Sequence, residues 1–236
     1  MAHIANLSEF TIDQLAEQYL APQKMWVRSN MAISIDGHFA DDNQTSQSFS
    51  SELDLRILLL LRALSDVVVV GGRTARQENY FPKFPRQEFA HLNPTGPRLC
   101  VVTQSVNFDP ADALFQQNHS RPIVIVPASD DLDIRSRVDA LRDVSDVVVL
   151  PEVTGTALVT ALRSMELNSI VSEGGPFLQQ LLRQDGVLNE LDVTIAPVIH
   201  GAASIELPFG SARDACELMA LGTANSFLFA RYLISS

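Results

Sequence analysis

Short runs rich in valine and isoleucine alternate along the chain with longer stretches in which apolar residues recur at helical spacing. Residues 67–70 and 123–126 are apolar at every position, so both faces of these strands should be covered, as in a parallel sheet between helices. The pattern predicts an open α/β sheet with helices on both faces. Strands are predicted at residues 25–33, 66–70, 98–103, 122–126, 147–150, 169–172, 191–196 and 227–233. Helices are predicted at residues 51–64, 111–117, 134–142, 156–164 and 175–184.

The first residues of the chain predict a further short amphipathic helix. Ser8 or Thr11 would be its N-cap, because a hydroxyl there can accept a hydrogen bond from the first turn. The irregular, proline-rich residues 81–97 are too short to link two domains. We therefore expect residues 1–24 to be an appended helical segment and residues 25–236 to form a single domain.

Charge and composition narrow the range of partners. The 236 residues include 17 Lys and Arg against 28 Asp and Glu, so the formal net charge is −11. This acid excess, without any basic cluster, argues against nucleic acid or an anionic membrane as a partner. A phosphorylated substrate would need a few placed arginines and backbone N–H groups, because the overall field repels it. The chain shows neither an apolar run of membrane-spanning length nor a secretion signal, so we expect a soluble cytoplasmic protein.

The cysteines and histidines show no spacing typical of a disulfide framework or a metal site. Cys100 and Cys216 stand 116 positions apart, and we expect both to be reduced thiols in the core. No metal is expected. The sequence also lacks the HExxH, GxSxG and Walker motifs, which disfavours zinc hydrolase, serine hydrolase and P-loop chemistry.

Turn residues follow the predicted strands at the edge where open α/β sheets bind ligands. Asp36 and Gly37 form a tight-turn signal, which is either a plain turn or a turn that presents a carboxylate to a cleft. Gly71 and Gly72 would let a ligand approach the backbone, and Thr74 could cap the next helical turn.

A second diglycine turn comes later in the chain. Gly174 and Gly175 follow Glu173, and Pro176 suits the first position of the next helix. Unpaired N–H groups at such a helix start favour a diphosphate, although close packing of helix and strand would also explain the glycines. The full GxGxxG spacing is absent. Arg62 has the planar guanidinium that matches a phosphate, or it is simply a solvated helix residue.

Four stretches stand at these predicted strand ends: MAISIDG at 31–37, LRALSDVVVVGGRT at 61–74, VSEGGPFLQQLL at 171–182 and LDVTIAPVIHG at 191–201. In order and spacing they resemble the reductase domain of bacterial riboflavin biosynthesis, a relative of dihydrofolate reductase. The resemblance implies a dihydrofolate reductase-like, mostly parallel sheet and a homodimer. It implies that NADPH reduces 5-amino-6-(5-phosphoribosylamino)uracil to the ribitylamino product. The chain has neither the HxE nor the CxxC of the zinc deaminase that often accompanies this domain, so only the reductase half is expected.

The resemblance also implies roles for individual residues. Asp36 and Glu173 would be catalytic, and Ser46, Arg62 and Glu173 would bind the substrate. Arg62 and Ser46 would lie nearest the substrate's phosphate. The cofactor would lie against Ala32, Ser48, Gly71, Gly72, Thr74, Glu78, Thr103, Gly174, Gly175, Pro176, Phe177, Leu178, Gln179, Gln180 and Leu181.

Hydride transfer depends on alignment of donor and acceptor, exclusion of water and stabilisation of the developing charge, and it needs no nucleophilic side chain. We expect the ring-opened imine of the ribosylamine to accept the hydride. Asp36 or Glu173 would orient the substrate, and the proton would come from one of them or from water. Two alternatives stay open: a reductase of the same fold acting on a pterin or another imine or carbonyl, and a dinucleotide-binding protein without turnover.

Overall fold

The structure, a computed structural model, describes residues 4–39, 47–77, 87–201 and 213–235. Among these residues the strands are β1 (Ala5–Asn6), β2 (Trp26–Ile33), β3 (Val67–Gly71), β4 (Arg98–Val102), β5 (Ile123–Pro127), β6 (Asp146–Leu150), β7 (Ser169–Ser172), β8 (Glu190–Ile195), β9 (Cys216–Ala224) and β10 (Phe227–Ile234). The helices are α1 (Ile12–Tyr19), α2 (Glu52–Ala63), α3 (Gly72–Gln77), α4 (Ala113–Gln116), α5 (Leu132–Leu141), α6 (Gly155–Ser164) and α7 (Pro176–Gln184).

The strands form one sheet in the order β1-β9-β10-β8-β2-β7-β3-β4-β5-β6. From β8 to β6 the neighbouring strands are parallel, while β10 is antiparallel to both β8 and β9. The predicted open, mostly parallel α/β sheet is confirmed. Because the strands from β8 to β6 run in one direction, their carboxyl ends meet along one edge, and the loops that follow them share that edge.

Helices cover both faces of the sheet, as predicted. Val68 and Val70 of β3 belong to the core under α1, α2 and α5, whereas Val67 and Val69 belong to the core under α6 and α7. All four valines are at most 1% exposed. This two-sided burial explains why the β3 sequence contains no polar position.

The eight predicted strands are all present, with ends within one residue of the prediction, and the five predicted internal helices agree within two residues. The patterns did not predict β1, α3 or β9. The first four residues of β9 are exposed, so that strand carries no regular alternation of apolar and polar residues. The α3 helix begins at Gly72, and glycine is a poor helix former.

The N-terminal helix α1 is capped by Thr11 and not by Ser8. Thr11 Oγ1 accepts from the Gln14 backbone N–H, and Gln14 Oε1 accepts from the Thr11 N–H, which makes a capping box. Leu15 and Tyr19 are buried in the same core as α2 and the central valines. The N-terminal helix therefore packs into the core of the sheet.

Two buried arginines hold the carboxyl end of α1 against the sheet. Arg28 Nη1 donates to the Tyr19 carbonyl at 2.9 Å, and Arg231 Nη2 donates to the Leu20 carbonyl at 2.8 Å. Between them lies Glu190, fully buried, which accepts from Arg231 Nε at 2.8 Å and lies 3.6 Å from Arg28 Nη1. The two cations thus supply hydrogen-bond donors to carbonyls at the end of α1, where the helix itself has none to offer.

Asp192 adds a second carboxyl to this buried network. It is paired in register with Arg231, but neither of its oxygens has a hydrogen-bond partner among the described residues. Burial, reinforced by the neighbouring Glu190 charge, raises the pKa of Asp192 well above its ordinary value. Asp192 therefore destabilises the folded chain to the extent that it is ionised.

The expectation of two core thiols holds for one cysteine only. Cys100 is fully buried in β4, and its burial raises the pKa of its thiol. Cys216 is exposed, because it begins β9 before that strand is covered by other elements. Both are free thiols, as expected.

Candidate active site

The two predicted diglycine turns lie side by side at the carboxyl edge of the sheet. They follow β3 and β7, which are neighbouring parallel strands. The Gly71 N–H donates to the Gly174 carbonyl at 3.1 Å, and the Glu173 N–H donates to the Val69 carbonyl at 3.0 Å. These bonds join the turns into one corner, which we call the diglycine corner (residues 71–72 and 174–175).

The second half of this corner requires glycine. Gly174 has φ +123° and Gly175 has φ +87°, values that side-chain-bearing residues rarely adopt. A Cβ added to Gly174 would meet no described atom within 4 Å, so the surface outside it is open. Gly175 is the N-cap of α7, and Pro176 occupies the first turn as predicted. An open glycine surface at the positive end of a nine-residue helix is suited to a diphosphate.

The first half of the corner packs closely against the end of β4. A Cβ added to Gly72 would lie 2.8 Å from Thr103 Cβ, so this glycine is needed for close approach of the chain. Thr103 is buried, and its Oγ1 accepts from the Val106 N–H. Thr74 does not cap a helix as predicted, because α3 already begins at Gly72.

Arg62 and Glu173 form a bidentate ion pair beside the corner. Arg62 lies in the last turn of α2 and Glu173 directly follows β7, 111 positions later. Arg62 Nε donates to Glu173 Oε1 at 2.5 Å and Nη2 donates to Oε2 at 2.6 Å. The side chains are 11% and 5% exposed. The two predicted substrate residues are thus brought together, but one edge of the guanidinium faces Glu173 and is not open to a phosphate.

Asp36 ties two loops together at the end of β2. Its carboxylate accepts from Ser34 Oγ at 2.6 Å and from the N–H groups of His200 and Gly201 at 3.1 and 2.8 Å. These three bonds hold the pKa of Asp36 well below its ordinary value. The carboxylate is therefore ionised at neutral pH and serves as a hydrogen-bond acceptor.

Sequence reasoning assigned no role to the aromatic residues around Asp36. His38 Nδ1 lies 3.4 Å from Asp36 Oδ2, and the His38 ring packs edge-on against His200 at 5.0 Å between centroids. Phe49 contacts the same His200 ring at 5.7 Å. The IHG sequence after β8 was part of the family resemblance, and that sequence could have pointed to His200.

The predicted cofactor residues of α7 face in different directions. Leu178 and Gln179 are each 1% exposed, and Leu178 belongs to the core shared with α6. Phe177 is exposed, and Gln180 and Leu181 are half-buried, so they lie on the outer side of the helix.

The remaining predicted residues lie elsewhere around the site. Ala32 is 8% exposed and packs with Phe49 near the ends of β2 and β8. Ser48 is exposed in a 3₁₀ turn before α2. Ser46 and Glu78 lie outside the described residues.

A cleft of about 430 Å³ opens beyond the diglycine corner. Its walls include residues at or just after the ends of β4, β5 and β6 and the outer face of α7, among them Gln104, Pro127, Pro151, Glu152, Phe177 and Leu181. Its volume lies in the range of small-molecule sites. No group of metal-ligating residues occurs in the described ranges, and no helix within them is long and apolar enough to span a membrane.

The sequence model of the RibD C-terminal domain family matches residues 25–223 of this chain. The chain belongs to the RibD C-terminal domain family. It is 27% identical over 188 residues to the 2,5-diamino-6-ribosylamino-4(3H)-pyrimidinone 5′-phosphate reductase of Archaeoglobus fulgidus, covering 75% of this chain and 82% of that relative. Over 179 residues it is 23% identical to the riboflavin biosynthesis protein RibD of Synechocystis, covering 76% of this chain and 47% of RibD.

The solved structure of a pyrimidine reductase-like protein supports the fold assignment. The pyrimidine reductase-like protein of Corynebacterium diphtheriae superposes with a TM-score of 0.85 at 26% identity, covering 96% of this chain and all of that one. The family resemblance seen in the sequence is confirmed. The family match begins at Met25, so α1 precedes the matched region.

Proposed function

We propose that the protein is a reductase of riboflavin biosynthesis that transfers a hydride from NADPH to the ribosylamino side chain of 5-amino-6-(5-phosphoribosylamino)uracil. The observation that carries the proposal is the open diglycine corner at the start of α7, placed directly beside the Arg62–Glu173 pair. The corner is suited to bind an anionic diphosphate, and the Arg62 guanidinium of the pair can donate hydrogen bonds to a phosphorylated substrate. The reductase names of the curated relatives support the same reaction class.

The residues present fit a nicotinamide dinucleotide. Gly174 offers open space, Gly175 leaves the start of α7 without a side-chain cap, and the exposed Phe177 is the second residue of that helix. The bound dinucleotide supplies the hydride. The chain's own contribution is to hold the diphosphate, to orient the substrate imine and to keep water from the reacting carbon.

Asp36 acts in this proposal as an orienting acceptor and not as the proton source. Its lowered pKa and its bonds to Ser34, His200 and Gly201 keep it ionised and fix the loop after β8. Glu173 positions Arg62 through two charge-assisted hydrogen bonds. The proton that completes the reduction of the imine nitrogen then comes from water.

We further propose that the protein is cytoplasmic and works as a homodimer, as the family resemblance implies. Leu218 and Met219 of β9 are 41% and 45% exposed, so this strand presents an apolar side chain to solvent on each face. A light-scattering mass of one chain at micromolar concentration would contradict the dimer.

The test of the activity is a kinetic assay with purified protein. NADPH oxidation is followed by the loss of its absorbance with three substrates: 5-amino-6-(5-phosphoribosylamino)uracil, its 2,5-diaminopyrimidinone counterpart, and dihydrofolate. We expect turnover with a phosphoribosylaminopyrimidine and formation of the ribitylamino product by mass spectrometry. Oxidation with dihydrofolate alone would favour the pterin alternative, and nucleotide binding without any oxidation would favour a non-catalytic protein.

The role of Arg62 is tested with the same substrate in two forms. Arg62→Ala should raise KM for the phosphorylated substrate by about 10- to 150-fold, which corresponds to a charged hydrogen bond of roughly 1.5–3 kcal/mol. KM for the dephosphorylated riboside should change little. Arg62→Lys keeps the charge but loses the planar guanidinium, so its KM for the phosphorylated substrate should lie between those of the wild type and Arg62→Ala. An unchanged KM would remove Arg62 from the substrate site.

A further inference from the structure

Strand β8 places its polar residues inside the protein and its apolar residues outside. Its even-numbered residues, from Glu190 to Thr194, are polar and at most 3% exposed. Its odd-numbered residues are apolar and only half-buried: Leu191, Val193 and Ile195. A strand with one face on a core normally shows the reverse pattern. The apolar side of β8 is therefore expected to be covered in the working protein.

The described helices do not cover this side of β8. Met31 of β2 is in register with Val193. It lies four positions after Val27, which belongs to the core under α6 and α7, so Met31 and Val193 both point to that side of the sheet. Yet that core contains no residue of β8 or β9, and from β10 only Ile234 packs against it. On this side the described helices thus leave β8, β10 and β9 bare.

The apolar surface continues across β10 and β9. Leu228 and Tyr232 of β10 are in register with residues of the β8 row. Leu218 of β9 is in register with Tyr232, and Leu221 lies beyond a bulge, in register with Ala230 on the same side. We call the side chains of residues 31, 191, 193, 195, 218, 221, 228 and 232 the uncovered face. None of these eight residues is charged.

The size of the uncovered face matches one half of a protein interface. Four neighbouring strands about 4.8 Å apart, with about six residues of 3.3 Å each, cover roughly 400 Å² of flat sheet. Two stacked copies would bury about twice that, and the accessible area of the side chains is larger still, which approaches the about 1,200 Å² at which stable interfaces begin. Ile35 and Ile199, 61% and 75% exposed just beyond β2 and β8, extend the apolar area.

Charge favours a second copy of this chain as the occupant. The net charge of −11 makes two copies repel one another in most orientations. The uncovered face carries no charge, so two such faces can meet without burying an ion or opposing like charges. A sheet face also packs readily against another sheet face, with about 10 Å between them.

We propose that two copies of the protein form a dimer by packing their uncovered faces together, sheet against sheet. The inference rests on the proposed homodimer and names its surface. In a twofold dimer the same residues meet from both copies, so one substitution enters the interface twice. The loop after β8, whose His200 and Gly201 N–H groups bind Asp36, lies at the rim of this interface.

The experiment measures molar mass by sedimentation equilibrium across micromolar concentrations. We expect the wild type to have the mass of two chains. Val193→Lys, at the centre of the face, should raise the dimer dissociation constant at least about 100-fold, because each dimer must bury two ammonium groups. Leu228→Lys should raise it at least about tenfold. Leu228 is 38% exposed in the single chain, so a lysine there can reach solvent and the variant should fold.

The matched control is Val149→Lys. Val149 is 43% exposed on β6, at the other end of the sheet, and its substitution changes the net charge equally. This variant should keep the wild-type dissociation constant. Circular dichroism shows whether each variant is folded, and Leu228→Lys decides the question if Val193→Lys is not.

The outcomes separate the surface from the proposals on which it rests. A folded Leu228→Lys or Val193→Lys that dimerises like the wild type, or an equal dissociation of Val149→Lys, would overturn the uncovered face as the interface while leaving the homodimer in place. A wild type with the mass of one chain throughout would overturn both. NADPH oxidation by the same samples reports separately on the reductase function.

Discussion

The Arg62–Glu173 pair allows the most direct test of how the site is held together. The perturbation is a double-mutant cycle with Arg62→Ala, Glu173→Gln and the combined variant. Both side chains are about nine-tenths buried or more, and two short hydrogen bonds join them. Each single substitution therefore leaves one buried group without its main partner.

The structure sets the expected magnitude. Breaking a buried ion pair by removing one partner costs about 3–5 kcal/mol, and the 11% exposure of Arg62 favours the lower end. We expect each single variant to lose about 3 kcal/mol of unfolding free energy, and the melting temperature to fall by roughly 6–12 °C in a chain of this size. The double variant should lose about 4 kcal/mol and not the roughly 6 kcal/mol of two independent changes, which gives a coupling energy of about 2 kcal/mol.

The assay is urea unfolding monitored by circular dichroism, with thermal melts as a second measure. Arg142→Ala is the control, because Arg142 pairs with Asp139 in the open, where the two side chains are 51% and 74% exposed. That change should cost less than about 0.5 kcal/mol. Additive effects of Arg62→Ala and Glu173→Gln, within about 0.5 kcal/mol, would refute the reasoning that the pair acts as a unit.

Three further predictions concern backbone strain and pH. Gly175→Ala should lower the unfolding free energy by about 1–3 kcal/mol, because its φ of +87° is strained for alanine, and should weaken NADPH binding. The control Gly186→Ala, at φ +63° past the other end of α7, should lower the unfolding free energy without affecting NADPH binding. Equal effects of the two substitutions on NADPH binding would contradict the role of the diglycine corner. Asp192→Asn should stabilise the protein at pH 7 and have little effect below about pH 4. The pKa of Asp192 is raised in the folded chain, so the wild-type protein loses stability as pH rises above the pKa of about 3.9 that an aspartate has in the unfolded chain. Denaturant titrations at both pH values check the sign. Asp36→Asn should destabilise at pH 7, with the difference from wild type shrinking as pH falls below about 4, because a lowered pKa contributes stability that acid removes; a constant difference across that range would refute it.

Local sequence patterns predicted the elements and several of their ends. The four consecutive valines of β3 indicated a strand covered on both faces, and Pro176 after two glycines indicated the start of α7. These features depend on residues within a few positions of one another, so the sequence contains them directly. The patterns failed at β9 and α3, where exposure and a leading glycine removed the local signal.

The sequence alone determined the fold class, the family and the two diglycine turns, because these depend on periodicity and short motifs. Only the tertiary structure decided what the polar side chains do. Arg62 meets a carboxylate 111 positions away, and Asp36 binds the His200 N–H 164 positions away. The physical reason is that parallel strands bring together loops remote in sequence, and a charged side chain binds whichever partner that packing places within hydrogen-bond distance.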